Sequence, residues 1–325
     1  MLYKFNACRR HKFEKTRYRV TNRGEYNESL RKRDDLTIWI TAQACQLWGA
    51  QRPTSRGGQP RYSDKAIMMC LTLGMFYRLP LRQTQGLMRS IFTLMQLEIP
   101  VPDFSTLSRR SQGLRLPTYS GTKVSGPIHL VVDSTGLKIF REGEWLQKKH
   151  KIKAKRKAWC KLHLGPDLLS GEIVCASLTK DDVGDPTALP GLPDQLDVPI
   201  ARFLADGAYD GAPTNNLLKA RFGGAAEIII PPPRNATPSL QSTSELSFRD
   251  RHIGEIHTHG RMAWQSSSGY NQRSRLETQM GRWKAVIGPK LRARSFQNQK
   301  TEAKIGVRVL SRMTEFGRPT FERIA

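Results

Sequence analysis

The chain has 325 residues, enough for two domains or one large domain with an appendage, and no apolar run reaches membrane-spanning length. Met1 to Val20 is too polar for a signal peptide, and the five scattered cysteines (Cys8, Cys45, Cys70, Cys160, Cys175) form neither a disulfide framework nor a zinc spacing, so the expectation is a cytoplasmic protein with no membrane partner. Of 53 basic against 28 acidic residues, the whole excess of +25 lies in three stretches, 1–33 (+8), 138–161 (+8) and 273–325 (+9), which points to a polyanion, nucleic acid, as partner.

Residues 1–33 are polar and basic, without apolar periodicity, and read as a flexible arm that orders on DNA. Asp34 and Asp35 cap a short helix through Trp39, Ile40 and Trp48, and residues 52–62 form a loop. From Ser63, a capping residue, an apolar helix runs to about Tyr77, ahead of Pro80. A second helix over 82–97 puts Leu87, Ile91, Leu94 and Met95 on its buried side. After Pro100 and Pro102, Ser105 caps a third helix over 106–114 that carries Arg109 and Arg110. Helix, short turn and basic helix suit a helix-turn-helix-like DNA-binding domain over 34–120, with a plain helical bundle as the alternative.

Past a Pro, Gly and Ser-rich boundary at 115–127 the pattern changes to strand. Ile128 to Val132 is a nearly continuous apolar run, as in a central buried strand, and ends in Asp133. The lysine-rich stretch 148–157 follows, with Lys149, Lys155 and Arg156 as DNA-binding candidates. Two strands over 158–164 and 172–178 flank a turn, 187–196 is a weak helical connector, and Ala201 to Ala205 is a strand that again ends in a carboxylate, Asp206. A helix over 214–222, with Asp210 as its cap, precedes a strand over 227–230 that Pro231-Pro232-Pro233 stops. Residues 234–269 read as polar and irregular.

The next helix brings Tyr270, Arg273, Glu277 and Lys284 into an arc of about 60° at about 100° per residue, beside the apolar stripe of Leu276, Met280, Trp283 and Ile287. Ser266 to Ser268 offer caps, Gly288-Pro289 ends the helix, and a helical tail surrounds Ile305 to Met313. Two strand-end aspartates and a helical glutamate, brought together, are costly unless a cation neutralises them. Carboxylate oxygens favour magnesium or manganese, and two such ions suit phosphodiester displacement. Asp181, Asp182, Asp185 and Asp210 compete as ligands, but Asp133 and Asp206 each directly follow an apolar strand.

Tyr270, Arg273, Glu277 and Lys284 match without a gap the signature of the insertion sequence four superfamily. Val131-Val132-Asp133-Ser134-Thr135-Gly136 and Leu204-Ala205-Asp206-Gly207-Ala208-Tyr209-Asp210 resemble the two aspartate motifs of the insertion sequence five family of bacterial transposases, and Thr179 to Asp185 is similar too. The resemblance covers roughly residues 25–318. It implies an α/β fold, an RNase H-like mixed sheet flanked by helices over 127–315 and preceded by an α-helical DNA-binding domain. It also implies a nucleoid-associated transposase that cuts terminal inverted repeats and joins 3′-hydroxyl ends to target DNA as a homodimer. Asp133, Asp206 and Glu277 would be the catalytic and metal-binding residues, with Mg2+ or Mn2+, two ions. Arg273 and Lys284 would hold DNA-end phosphates and Tyr270 would support that end. The short span between Asp206 and Glu277 implies no large inserted β-domain. The rival readings are a transposase-derived DNA-binding protein without cleavage and an RNase H-like junction nuclease.

Overall fold

The computed structural model describes residues 17–40, 42–51, 57–114, 126–139, 159–239 and 247–324. Lys149, Lys155 and Arg156 lie outside them, as does most of the boundary at 115–127. Part of the expected arm is folded. Strand β1 (Arg17–Val20) and helix α1 (Arg23–Arg33) are ordered against the far end of the chain, where Arg33 donates to the Gly317 carbonyl and the Asn22 amide to that of Arg318. Nothing in the apolar pattern could show this, because polar contacts to a segment nearly three hundred residues away hold α1 in place.

Helices α2 (Leu36–Trp39) and α3 (Ala42–Gln46) are short, and Asp35 caps α2 by accepting from the Thr37 N–H. Ser63 caps α4 (Asp64–Phe76) as expected. Helix α5 spans Leu81–Leu94 and α6 Phe104–Gln112. Two local expectations are corrected. Asp103, not Ser105, caps α6, accepting from the Thr106 N–H at 2.8 Å. On α5 the buried residues are Thr84, Met88, Ile91 and Phe92, while Leu94 is 84% exposed. Gly74 explains the roll: a Cβ there would strike Thr84, so the bare backbone lets α5 cross α4 with Thr84 in the contact.

The sheet comprises β2 (Ile128–Ile139), β3 (Trp159–Pro166), β4 (Ile173–Lys180), β5 (Ile200–Ala205) and β6 (Glu227–Ile229) in the order β4-β3-β2-β5-β6. The first three are antiparallel, and β5 and β6 run parallel to β2. Along the parallel strands the side chains alternate with a period of two. Val131, Leu204 and Ile229 enter one apolar cluster, and Leu130, Val132, Phe203 and Ile228 enter the other. The first cluster packs under α11 (Ser274–Val286) and α12 (Phe296–Glu315), while the second lies beside α8 (Ala212–Phe222). This is the mixed sheet flanked by helices that the resemblance implied. Between β4 and β5 runs the short α7 (Asp185–Ala188), and β7 (Lys290–Leu291) pairs with the end of β2. Strand β8 (Phe321–Ile324) closes the chain by pairing with β1.

Residues 234–269 are not irregular throughout: they contain α9 (Phe248–His259) and α10 (Arg261–Ser267). Both are too polar to show an apolar stripe, and buried His252 and Trp264 anchor them. Among the described residues no inserted β-domain separates Asp206 from Glu277. The helical and sheet regions are also joined. Thr301 on α12 donates to the Ser111 carbonyl at 2.7 Å, and Arg78, at φ 54°, donates to the Ala285 and Val286 carbonyls at the end of α11.

Candidate active site

Val132 on β2 lies in register with Ala205 on the parallel β5, so Asp133 and Asp206 leave neighbouring strands at the same end. Strand β5 stops there because the Asp206 carboxylate accepts from the Ala208 N–H at 2.9 Å and starts a single 3-10 turn. Strand β2 does not stop at Asp133, contrary to expectation. Antiparallel pairing with β3 carries it on from Asp133 opposite Leu164 to Lys138 opposite Trp159. Helix α11 lies over this end, seated by buried Leu276, Met280 and Trp283. Its first turn presents Glu277. Trp283 fits against Gly306 of α12, where a Cβ would run into the indole.

Arg273 occupies the centre of the three carboxylates. Its Nη2 pairs with Asp133 Oδ2 and stands 3.7 Å from Asp206 Oδ2, and its Nη1 is 3.4 Å from Glu277 Oε1. The guanidinium is 18% exposed and Asp133 14%, whereas Glu277 is 68% exposed and open to solvent. Burial raises the Asp133 pKa, and the neighbouring Asp206 and Asp185 carboxylates push the same way. Arg273 and the Ser134 N–H oppose the shift without cancelling it. Three carboxylates thus share one cationic side chain.

Behind Asp133 lies a further tier. Asp185 Oδ2 accepts from the Ser134 hydroxyl at 3.0 Å, and Asp185 Oδ1 pairs with Lys161 at 3.2 Å. The Tyr209 side chain is fully buried beside this group. Asp185 was weighed from the sequence only as a competing ligand and Tyr209 was given no role, although both stand inside motifs that carried the resemblance. Asp181 and Asp182 are exposed. Asp210 does not cap α8, whose N-cap is Gly211. Its carboxylate, 6% exposed, is paired with Arg249 of α9 at 3.1 Å.

The signature residues do not share one α-helix. Tyr270 to Arg273 form a 3-10 turn after the left-handed Gly269, and α11 starts at Ser274 without a side-chain cap; Ser266 and Ser267 belong to α10. Tyr270 is half-buried, its ring 5.4 Å from that of Trp264. Trp264 donates to His252 Nδ1 at 3.0 Å, which leaves the His252 Nε2–H to donate to the Ile228 carbonyl of β6 at 2.8 Å. This relay fixes the approach to α11 from the sheet. Lys284 is exposed on α11. On α6, Arg109 is exposed, while Arg110 is engaged with Asp64 at 2.5 Å and the Tyr62 carbonyl at 3.0 Å.

Among the described residues no three His, Cys, Asp or Glu side chains stand ready as a metal cluster, and Arg273 lies between those that would form one. The donor set nonetheless fits a hard divalent ion: oxygen donors only, three carboxylates already gathered round one cation. The described cysteines are free, and burial pushes Cys70 and Cys175 up to about 12, far from reactive thiolates.

The site thus belongs to an α/β protein with a mixed sheet flanked by helices, in which Asp133 within β2 and Asp206 at the end of the parallel β5 are neighbours and a helix laid over them supplies Glu277. Two family models, each described as a transposase DDE domain, match residues 31–142 and 124–312. The second match spans more than half of the chain, and the chain belongs to the DDE transposase family, enzymes that cut DNA and transfer its strands. A cryo-EM structure of a piggyBac transposase synaptic complex with hairpin DNA is similar at 12% identity and a TM-score of 0.38, over 85% of this chain and 71% of that one. No helix among the described residues is long and apolar enough to cross a membrane.

Proposed function

We propose that this transposase, of the insertion sequence five type, binds terminal inverted repeats, cuts the phosphodiester bond at each end and joins the freed 3′-hydroxyl to target DNA. The observation that carries this reading is the gathering of Asp133, Asp206 and Glu277 round a single cationic side chain. These carboxylates would hold two magnesium or manganese ions, which when bound supply activation of the attacking oxygen and stabilisation of the leaving one. Arg273, once released from the carboxylates, holds a phosphate of the DNA end. Lys284 lies seven residues beyond Glu277, about 10.5 Å along the helix axis, and its ammonium meets a flanking phosphate as a positioning charge. Tyr270, braced on Trp264, keeps the turn bearing Arg273 in place.

Residues 34–120 serve as the DNA-reading part and 127–315 as the catalytic part. Arg109 is the exposed contact on α6, whereas Arg110 holds α6 to α4. Lys149, Lys155 and Arg156 add backbone contacts through their charge. Two chains act together, one at each end, on the nucleoid in the bacterial cytoplasm.

The test is cleavage and strand transfer on a repeat-end duplex. Magnesium or manganese should support both steps and calcium or zinc should not, and Asp133→Ala, Asp206→Ala and Glu277→Ala should each abolish cutting while binding survives. Lys284→Ala should slow end cleavage with the melting temperature unchanged, and Lys284→Arg should restore part of the rate. Repeat binding without cutting would instead make this a DNA-binding protein. Cutting of branched DNA regardless of repeats would make it a junction nuclease.

A further inference from the structure

Tyr209 ends the 3-10 turn that Asp206 begins, and its ring is fully buried in the apolar cluster beneath the strand ends. A buried phenol normally has a hydrogen-bond partner, since an unpaired buried hydroxyl forfeits the one it had in water. The Tyr209 hydroxyl is buried and has none among the described residues. It is not remote from acceptors. Asp206 begins the turn that Tyr209 ends, α7 with Asp185 at its start packs on that turn, and after burial, the main cause, the Asp185, Asp133 and Asp206 carboxylates add to the rise in its pKa. Their oxygens are drawn elsewhere: Asp185 to Ser134 and Lys161, Asp133 to the Ser134 N–H and Arg273, Asp206 to the Ala208 N–H and toward Arg273. Arg273 shows the complementary defect, for its Nε is also buried without a partner among the described residues. Two orphaned donors thus belong to the same carboxylate group.

We infer that Tyr209 is a positioning residue for the metal-bound arrangement: its O–H is held ready for the Asp133–Asp206 pair, to fix these carboxylates when they turn from Arg273 toward the ions. Ligating carboxylates are themselves hydrogen-bonded from behind, and a phenol rooted in the core is a rigid donor for that purpose. In the arrangement centred on Arg273 the donor is left over. In the metal-bound arrangement it is used. The inference rests on the reading of Asp133, Asp206 and Glu277 as the metal site.

The experiment uses the full-length chain with Mn2+ as the probe and no DNA, comparing wild type, Tyr209→Phe, Tyr209→Leu and Asp206→Asn by metal titration and by thermal melting with and without Mn2+. Without metal, Tyr209→Phe should melt at or above the wild-type temperature, because it replaces an unpartnered hydroxyl while keeping the ring. Its Mn2+ affinity should fall about 10-fold or more, the usual loss when a group supporting a metal ligand is removed. Tyr209→Leu, which loses the ring as well, should melt lower in both conditions. A hydroxyl with a merely structural role would move the metal-free melting temperature down and leave Mn2+ affinity alone, and either result for Tyr209→Phe overturns the proposal. Wild-type Mn2+ affinity in Asp206→Asn would instead overturn the metal-site reading and the Tyr209 proposal with it. Wild-type affinity in Tyr209→Phe alone overturns only the latter.

Discussion

Two arginines meet carboxylates at this end of the sheet, and they do so differently. Arg249 of α9 pairs with Asp210, with contacts at 3.1 and 3.2 Å to that one carboxylate and its Nη1 on the Thr237 carbonyl. Donor and acceptor there are matched one to one, and the pair locks α9 to the turn after β5. Arg273 faces three carboxylates with a fourth behind them, pairs with Asp133, stands 3.4 Å from Glu277 and 3.7 Å from Asp206, and its Nε has no partner among the described residues. The same chemical types form a closed fastening in one place and an unbalanced cluster in the other. Charge count and satisfaction separate them. A cluster with surplus negative charge can accept a stronger cation, whereas a matched pair gains nothing from one.

The largest effect should come from breaking the cluster's own acid. Asp206→Asn should reduce cutting of a repeat-end duplex to background, and Asp210 should not substitute, because Arg249 holds it. Residual cutting that disappears in the Asp206→Asn, Asp210→Asn double variant would collapse the distinction between the two sites. Next is Arg249→Ala. It leaves Asp210 buried and unpaired, and should cost about 3–5 kcal/mol in a denaturant melt, the same with or without Mn2+.

Arg273→Ala should cost less, about 1–3 kcal/mol without metal, since Glu277 and part of Asp206 remain solvated. Its cost should shrink when Mn2+ is added, unlike that of Arg249→Ala. It should also depend on pH. Burial already raises the folded-state pKa of Asp133, and losing Arg273 raises it further. The folded state then binds more protons than the unfolded one, so stability falls as pH rises from the ordinary carboxylate value through the raised one. Melts of Arg273→Ala should therefore approach wild type at or below the ordinary carboxylate value and diverge as pH rises above it. The smallest effect is expected for Arg78→Ala, which strips two donors from the end of α11 and should cost about 1 kcal/mol, with slower cutting as Glu277 loosens.

Local pattern along the chain accounts for much of the fold. The runs 128–132 and 200–205 are apolar enough to be central strands, Ser63 and Asp35 cap their helices, and Gly288, at φ 122°, ends the helix bearing Glu277. Asp133 and Asp206 were legible because each follows such a run, and the spacing from Tyr270 to Lys284 marked Glu277. Which groups meet is set across the fold. Helices α9 and α10 have no stripe to read, and they are held by His252 and Trp264 reaching β6. Asp210 looked like a cap until Arg249, 39 residues on, took it. Tyr270 looked like part of one polar helical face, but a 3-10 turn and Trp264 draw its ring inward. Periodicity reports the face a residue shows to the core. The partner of a buried charge or hydroxyl depends on distances across the fold, and no local pattern encodes those.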